Sequence, residues 1–199
     1  MNPSPPTKSP PFYDYRTGHG QSKGIIWRDF HAWRNERLPA KTRRWLLDQG
    51  SLTQRLLQAS HHCFSVQVLR QQFQRVPLAD SQLLRIPAAQ ACLVREVALL
   101  CAGEPWVYAR SVMPCTSLTG KLRHLRHFDN RSLGELLFTT PGMQRNPFQL
   151  ARVPAVRIPL SPQIASTEPL WGRRSRFLLY NKPLLVSETF LPAFRPWTQ

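Results

Sequence analysis

Carboxylates are scarce in this chain: 11 Asp and Glu stand against 27 Lys and Arg, giving a formal net charge of +16. So one-sided a balance calls for an anionic partner, whether nucleic acid, an anionic membrane or an acidic metabolite, and by itself does not choose among them. Cysteine is sparse too. Cys63, Cys92, Cys101 and Cys115 are scattered without a Cys-x-x-Cys pair, so they read as reduced structural thiols in a reducing compartment. His61-His62 and the His124/His127 pair have no acid or thiol ligand nearby at usable spacing, so no zinc site is expected and the latter pair reads as part of a solvated basic helix. Neither a G-x-x-x-x-G-K-[ST] loop nor a G-x-G-x-x-G turn after a strand occurs, which leaves nucleotide cofactors unsupported. The G-x-S-x-G elbow of the hydrolases is missing as well. No apolar run approaches the roughly 20 residues a membrane helix needs, and the N-terminus lacks the apolar core of a secretory signal. A cytoplasmic protein is expected.

What remains is enough for one domain: 199 residues, 42% of them hydrophobic. Arginine far outnumbers lysine, which favours bidentate recognition of carboxylate or phosphate. Residues 1–24 carry Pro3, Pro5, Pro6, Pro10 and Pro11, then Gly18, Gly20 and Gly24, and are expected to be a disordered arm before a domain over 25–199. Trp27, Phe30 and Trp33 fall at near-helical spacing, and Arg44 to Gln49 reads as a short helix stopped by Gly50. Ser51-Leu52-Thr53-Gln54 and Ser132-Leu133-Gly134-Glu135 are capping boxes, each opening a helix with a leucine at its first position. The N–H groups of such a first turn have no partner within the helix and form a natural seat for a carboxylate, although a well-capped helix needs no ligand. Phe64–Phe73 reads as a strand and Leu78–Leu84 as a short helix. Thr139–Pro169, with six prolines, reads as a long irregular loop.

Two hairpins carry the charges that need explaining. In the first, from Leu93 to Pro114, Arg95 and Arg110 sit on otherwise apolar strands, where each charge must be paired or neutralised. With Gly103-Glu104 at the centre of the turn, Arg95 faces Val112 and Val97 faces Arg110. Both arginines then share a face as diagonal neighbours able to converge on one dianion. A slip of one residue would put them on opposite faces. In the second hairpin, Trp171 to Pro192 with an Asn-Lys-Pro turn, Glu188 lies among Leu184, Val186 and Phe190. It is either bridged to Arg173, Arg174 or Arg176, or an unpaired carboxyl with a raised pKa. Two strand arginines, one strand carboxylate and two helix N-termini suit a small cyclic acid with more than one anionic group.

The ordered set Leu93-Val-Arg-Glu-Val, Gly-Glu-Pro-Trp106, Ala109-Arg-Ser-Val-Met-Pro114, Leu133-Gly-Glu-Leu-Leu-Phe138, Trp171-Gly-Arg-Arg-Ser175 and Lys182-Pro-Leu-Leu-Val-Ser-Glu-Thr-Phe-Leu-Pro192 resembles the chorismate pyruvate-lyases, over about Leu46 to Pro192. The resemblance implies an α+β fold: a single antiparallel β-sheet with flanking helices, the ligand buried under helical and loop lids. It implies a lyase converting chorismate to 4-hydroxybenzoate and pyruvate for ubiquinone synthesis, with no cofactor and no metal, acting as a monomer without nucleic acid. Carried over by motif position, it implies Leu52, Arg95, Arg110, Leu133 and Glu188 as substrate-binding residues, with Arg110 and Glu188 catalytic. On this reading Arg95 and the Leu52 N–H take the ring carboxylate, Arg110 the enolpyruvyl carboxylate, and Glu188 with the Leu133 backbone the ring hydroxyl. The chain departs from the family in its Pro-rich arm, in the length of the Thr139–Pro169 segment, at Leu52 where Met is also seen, and at Ala109 where Gly is common. Two rival readings stand beside it: a non-catalytic small-acid-sensing domain of the same fold, and a basic nucleic-acid-binding protein motivated by charge alone.

Overall fold

A computed structural model describes residues 24–33, 38–160 and 166–197; the Pro-rich arm up to residue 23 lies outside the described residues. The chain runs β1 (Arg28–Asp29), a 3₁₀ turn (Phe30–Trp33), α1 (Ala40–Leu46), α2 (Leu52–Ala59), β2 (Phe64–Gln74), α3 (Leu78–Leu84), β3 (Cys92–Cys101) and β4 (Glu104–Pro114). A 3₁₀ segment (Gly120–His127) leads to α4 (Leu133–Thr139), β5 (Gln144–Arg145), β6 (Gln149–Val153), β7 (Leu170–Leu179) and β8 (Lys182–Phe190), and the 3₁₀ turn Arg195–Trp197 follows. All strands belong to one antiparallel sheet in the order β1-β6-β7-β8-β4-β3-β2, with β5 also paired to β7. This is the α+β class, one open sheet with flanking helices, that the motifs imply.

Layering follows from the apolar pattern. The central strands β3, β4 and β7 are buried along most of their length, and in β8 Leu184, Leu185, Thr189 and Phe190 are buried, so both sheet faces must be covered. One face packs under α1, α2, α4 and the Gly120–His127 segment, where Leu46, Leu56, Leu125 and Leu137 are buried against Leu99, Val107, Met113 and Phe177. Each such side chain contributes about 1.5–3 kcal/mol of burial. The opposite face packs under α3 and the chain around Ile158 and Leu160, against Val94, Val112, Leu185 and Ala151. His124 and His127 are exposed, while Leu122 and Leu125 of the same segment are buried.

Three local expectations give way. The β3–β4 turn is centred on Ala102-Gly103, both with positive φ (51° and 81°), the conformation of two-residue hairpin turns that match strand twist. Cys101 therefore pairs with Glu104 and Leu100 with Pro105; an irregularity then inserts Trp106, so that Leu99 pairs with Val107. Together these move the register by one residue: Arg95 faces Ser111, and Arg110 faces Glu96 on the other side of the sheet. The second hairpin turns at Tyr180-Asn181, again both positive in φ (50° and 59°), rather than at Asn-Lys-Pro. Finally, the segment expected as a continuous loop from Thr139 to Pro169 contributes β5 and β6 to the edge of β7. Pro141, Pro147 and Pro154 flank these strands rather than lie in them.

Candidate active site

Two helix N-termini meet over the middle of the sheet. The Ser51 hydroxyl accepts the Gln54 N–H at 3.4 Å and the Ser132 hydroxyl accepts the Glu135 N–H at 3.3 Å, so both capping serines do what the sequence motif predicts. The two helices are then tied together: the hydroxyls of Thr53 and Ser132 share a hydrogen bond of 2.6 Å. Gly134 is required at this crossing, because a Cβ there would lie 2.6 Å from Thr53 Oγ1. Leu52 and Leu133, at the first helical positions, both line the cavity below. Their first-turn N–H groups lie beyond the reach of intrahelical partners, so the cavity receives two positive helix ends.

The cavity, about 520 Å³ of space unfilled by atoms and in part open to solvent, lies between these termini and the sheet face that carries Arg95, Ser111 and Glu188. Among the described residues its charged lining is three arginines and one carboxylate, Arg95, Arg145, Arg173 and Glu188, so two positive charges there are left unbalanced. Arg95 is 2% exposed and, among the described residues, donates to main-chain carbonyls only: Nε to Phe128 at 3.1 Å, Nη2 to Asp129 at 2.6 Å and to Arg131 at 3.0 Å. Burial pushes its pKa down to about 10 and nearby Asp129 pulls the other way, so the group is still cationic at neutral pH. Its Nη1 donates to no protein group among the described residues. Three carbonyls thus fix the guanidinium in place without neutralising it.

The open question about Glu188 is answered by Arg173, its cross-strand partner. Arg173 Nε donates to Glu188 Oε2 at 2.6 Å. The same guanidinium, 1% exposed, donates through Nη1 to the carbonyls of Trp45 (2.8 Å), Asp48 (3.2 Å) and Leu46 (3.4 Å). It thereby closes the C-terminal end of α1, where a cation complements the helix dipole. Glu188 is held in one orientation while still lining the cavity.

Arg110 is elsewhere. On the opposite face, its Nη1 donates to Asp80 Oδ2 at 2.7 Å, and Asp80 also receives Arg174 Nη1 at 3.0 Å. Burial works to lower the Arg110 pKa, but Asp80, together with Tyr108 and Glu96, outweighs it and the pKa is held above the ordinary value. Arg174 continues the network to Gln149 at 2.9 Å. The expected pairing of Arg95 and Arg110 on one ligand is therefore corrected: one residue of register separates them by the thickness of the sheet. The structure brings together Leu52, Arg95, Leu133 and Glu188, and leaves out Arg110. Sequence reasoning named Arg173 only as one of three possible partners and missed Arg145, whose strand is two residues long.

Fold and site together define an α+β domain with a cationic pocket beneath two helix N-termini. The fold is shared with the effector domain of PhnF from Mycobacterium smegmatis, with a TM-score of 0.56 and 14% identity, covering 73% of this chain and 91% of that one. It is shared also with the C-terminal domain of the histidine utilization repressor from Pseudomonas syringae pv. tomato, with a TM-score of 0.51 and 10% identity, covering 65% and 92%. At such identities the likeness is one of fold. Sequence narrows it further. Residues 25–199 match the family described as chorismate lyase. Probable chorismate pyruvate-lyases from Methylococcus capsulatus (41% identical, over 75% of this chain and 93% of that protein) and Pseudomonas putida (38%, over 87% and 91%) are similar along most of their length. The chain belongs to the chorismate lyase family.

Proposed function

We propose that this protein is a chorismate pyruvate-lyase, eliminating pyruvate from chorismate to leave 4-hydroxybenzoate. The observation that carries the reading is the charge pattern of the pocket: two unbalanced positive charges, matching a dianion, with a single fixed carboxylate among them. Chorismate carries a ring carboxylate at C1, an enolpyruvyl ether at C3 and a hydroxyl at C4. In the elimination the C3–O bond breaks, C4 loses its hydrogen as a proton, and the enolpyruvyl methylene gains a proton to become the methyl group of pyruvate. The ring becomes aromatic, which drives the step.

In this reading Arg95 and the Leu52 N–H hold the ring carboxylate through charge-assisted hydrogen bonds. Glu188 accepts a hydrogen bond from the C4 hydroxyl beside the backbone of Leu133, and assists proton transfer at that carbon. Arg173 is a positioning residue that sets Glu188. All product atoms come from chorismate and no net oxidation occurs, so the chemistry asks for no cofactor; the pocket's task is to hold one conformer of the substrate out of water. The product would serve ubiquinone synthesis, and the enzyme would act as a cytoplasmic monomer whose surplus charge draws in its anionic substrate rather than a nucleic acid. Incubation with chorismate, with 4-hydroxybenzoate read by chromatography and pyruvate by a coupled dehydrogenase, is expected to give the two products in equal amounts. Binding of 4-hydroxybenzoate without turnover of chorismate would instead establish the small-acid sensor, and neither binding nor turnover would remove both readings.

A further inference from the structure

With Arg110 on the far face, the second carboxylate of a dianionic ligand needs another cation in the pocket. Three arginines are candidates there. Arg173 is engaged on Glu188 and on three carbonyls, and Arg95 on three carbonyls. Arg145 is different. A guanidinium has five N–H donors, and the only hydrogen bond of this one among the described residues is a long contact of 3.3 Å from Nη1 to the Gln49 carbonyl. Its Nε is buried without a hydrogen-bond partner among the described residues. The plane is held by aromatic rings instead: Phe148 at 3.8 Å, Phe177 at 5.0 Å and Phe138 at 5.8 Å from the guanidinium carbon. Such packing fixes a cation in place and leaves its donors open. A buried donor without an acceptor is costly, and an anion placed against it removes that cost.

Position agrees with this. Glu188 is bonded to Arg173, and the guanidinium groups of Arg173 and Arg145 lie on the same Phe148 ring, at 4.8 and 3.8 Å, so Arg145 and Glu188 stand at the same end of the pocket. In chorismate the enolpyruvyl ether at C3 adjoins the C4 hydroxyl and lies meta to the ring carboxylate. Whatever holds the enolpyruvyl carboxylate must therefore stand beside the group that takes the hydroxyl, and across the pocket from Arg95. Arg145 stands there: its strand β5 pairs with β7, and β8 and β4 lie between β7 and the strand β3 that carries Arg95. We infer that Arg145 binds the second, ether-borne carboxylate of the substrate, a role distinct from the ring-carboxylate site of Arg95. The inference rests on the chorismate reading for the identity of that carboxylate.

The test compares two ligands that differ only in this group: 4-hydroxybenzoate, and 3-(carboxymethoxy)-4-hydroxybenzoate, which carries a carboxylate on an ether at C3. Calorimetry is run on the wild-type protein, Arg145→Gln and Arg145→Lys, alongside chorismate kcat/KM. Loss of charge-assisted bonds predicts a fall of roughly 10- to 100-fold for Arg145→Gln in affinity for the dicarboxylate and in kcat/KM, with the 4-hydroxybenzoate Kd moving by no more than about threefold. Arg145→Lys, which keeps the charge and loses the planar fork, is expected to lose less in the same direction. It also serves as the deciding variant if Arg145→Gln fails to fold. An equal fall for both ligands, or no fall for either, overturns the inference and makes Arg145 a packing residue. If the wild-type protein prefers the dicarboxylate yet never turns over chorismate, the lyase reading fails while the assignment of Arg145 stands or falls on the binding arm alone.

Discussion

Gly134→Ala is the substitution for which the geometry makes the sharpest demand. The added methyl would lie 2.6 Å from Thr53 Oγ1, well inside contact distance, and Thr53 is a short, stiff side chain 4% exposed and bonded to Ser132. Either the backbones part, at an overpacking cost of about 1–3 kcal/mol, or Thr53 rotates, gives up the bond to Ser132 and leaves a buried hydroxyl unpaired, at a similar cost of about 1–3 kcal/mol. Against that, alanine in a helix is favoured over glycine by about 0.5–1 kcal/mol. Steric overlap wins, and the net loss expected is up to about 2.5 kcal/mol, or a fall in Tm of up to roughly 10 °C for a chain of this size. Thr53→Ala should reverse the sign. Once Oγ1 is gone, the nearest atom of residue 53 to the new methyl is its own Cβ at 3.7 Å, an ordinary contact. In the Thr53→Ala background, Gly134→Ala should be neutral or stabilising by up to about 1 kcal/mol. The double-mutant cycle, measured by urea denaturation, then shows a coupling equal to the overlap cost, about 1–3 kcal/mol. Affinity for 4-hydroxybenzoate should fall with Gly134→Ala as well, since the first turn of α4 is displaced. Additive single effects would refute the claim that the two helix N-termini are locked at this crossing.

Other substitutions report on the two faces separately. Arg110→Ala removes one of the two cations on Asp80 and leaves Arg174, so we expect destabilisation of about 1–3 kcal/mol by urea denaturation; an unchanged midpoint would show that the rear network carries no stability. Arg95→Met strands the carbonyls of Phe128, Asp129 and Arg131 and removes the ring-carboxylate partner. Binding of 4-hydroxybenzoate, followed by calorimetry, should weaken by at least about 30-fold. Thiol chemistry follows burial. Cys92 and Cys101 are fully buried, and burial pushes each thiol pKa up to about 11, whereas Cys63 is exposed. At pH 8, below the raised values, both buried thiols stay protonated and unreactive. A thiol reagent should label Cys63 first in the native protein, and all four cysteines only after unfolding; rapid native labelling of Cys92 or Cys101 would contradict their burial.

Local chemistry explains what could be read from the sequence. The serine boxes at Ser51 and Ser132 specify helix starts through a bond to a residue three positions on, and both bonds form. The strands around Arg95 and Glu188 show in their apolar runs, and a carboxylate among leucines announces a partner even before the partner is known. Register is another matter. It turns on whether the hairpin pivots at Ala102 or Gly103 and on one extra residue at Trp106, and no side chain near the turn distinguishes these, so the apolar pattern alone puts Arg110 on the wrong face. Arg145 escaped notice because a two-residue strand has no periodicity to detect; its place is set by pairing to Phe177 rather than by its neighbours in sequence.

Trp45 faces two ways. Its carbonyl receives Arg173, and its ring meets Phe194 edge-on at 4.9 Å, within an aromatic stack that includes Phe190 and Trp197. The orientation of Glu188 is thus referred, through one arginine and one tryptophan, to packing at the Arg195–Trp197 turn. Phe194→Ala would open a void among these rings at about 3–5 kcal/mol, and would loosen the anchor of Arg173 although every pocket side chain is intact. Losses of activity from substitutions at residues 194–197 would therefore follow from a carboxylate no longer held to its angle, with no contact to substrate having changed.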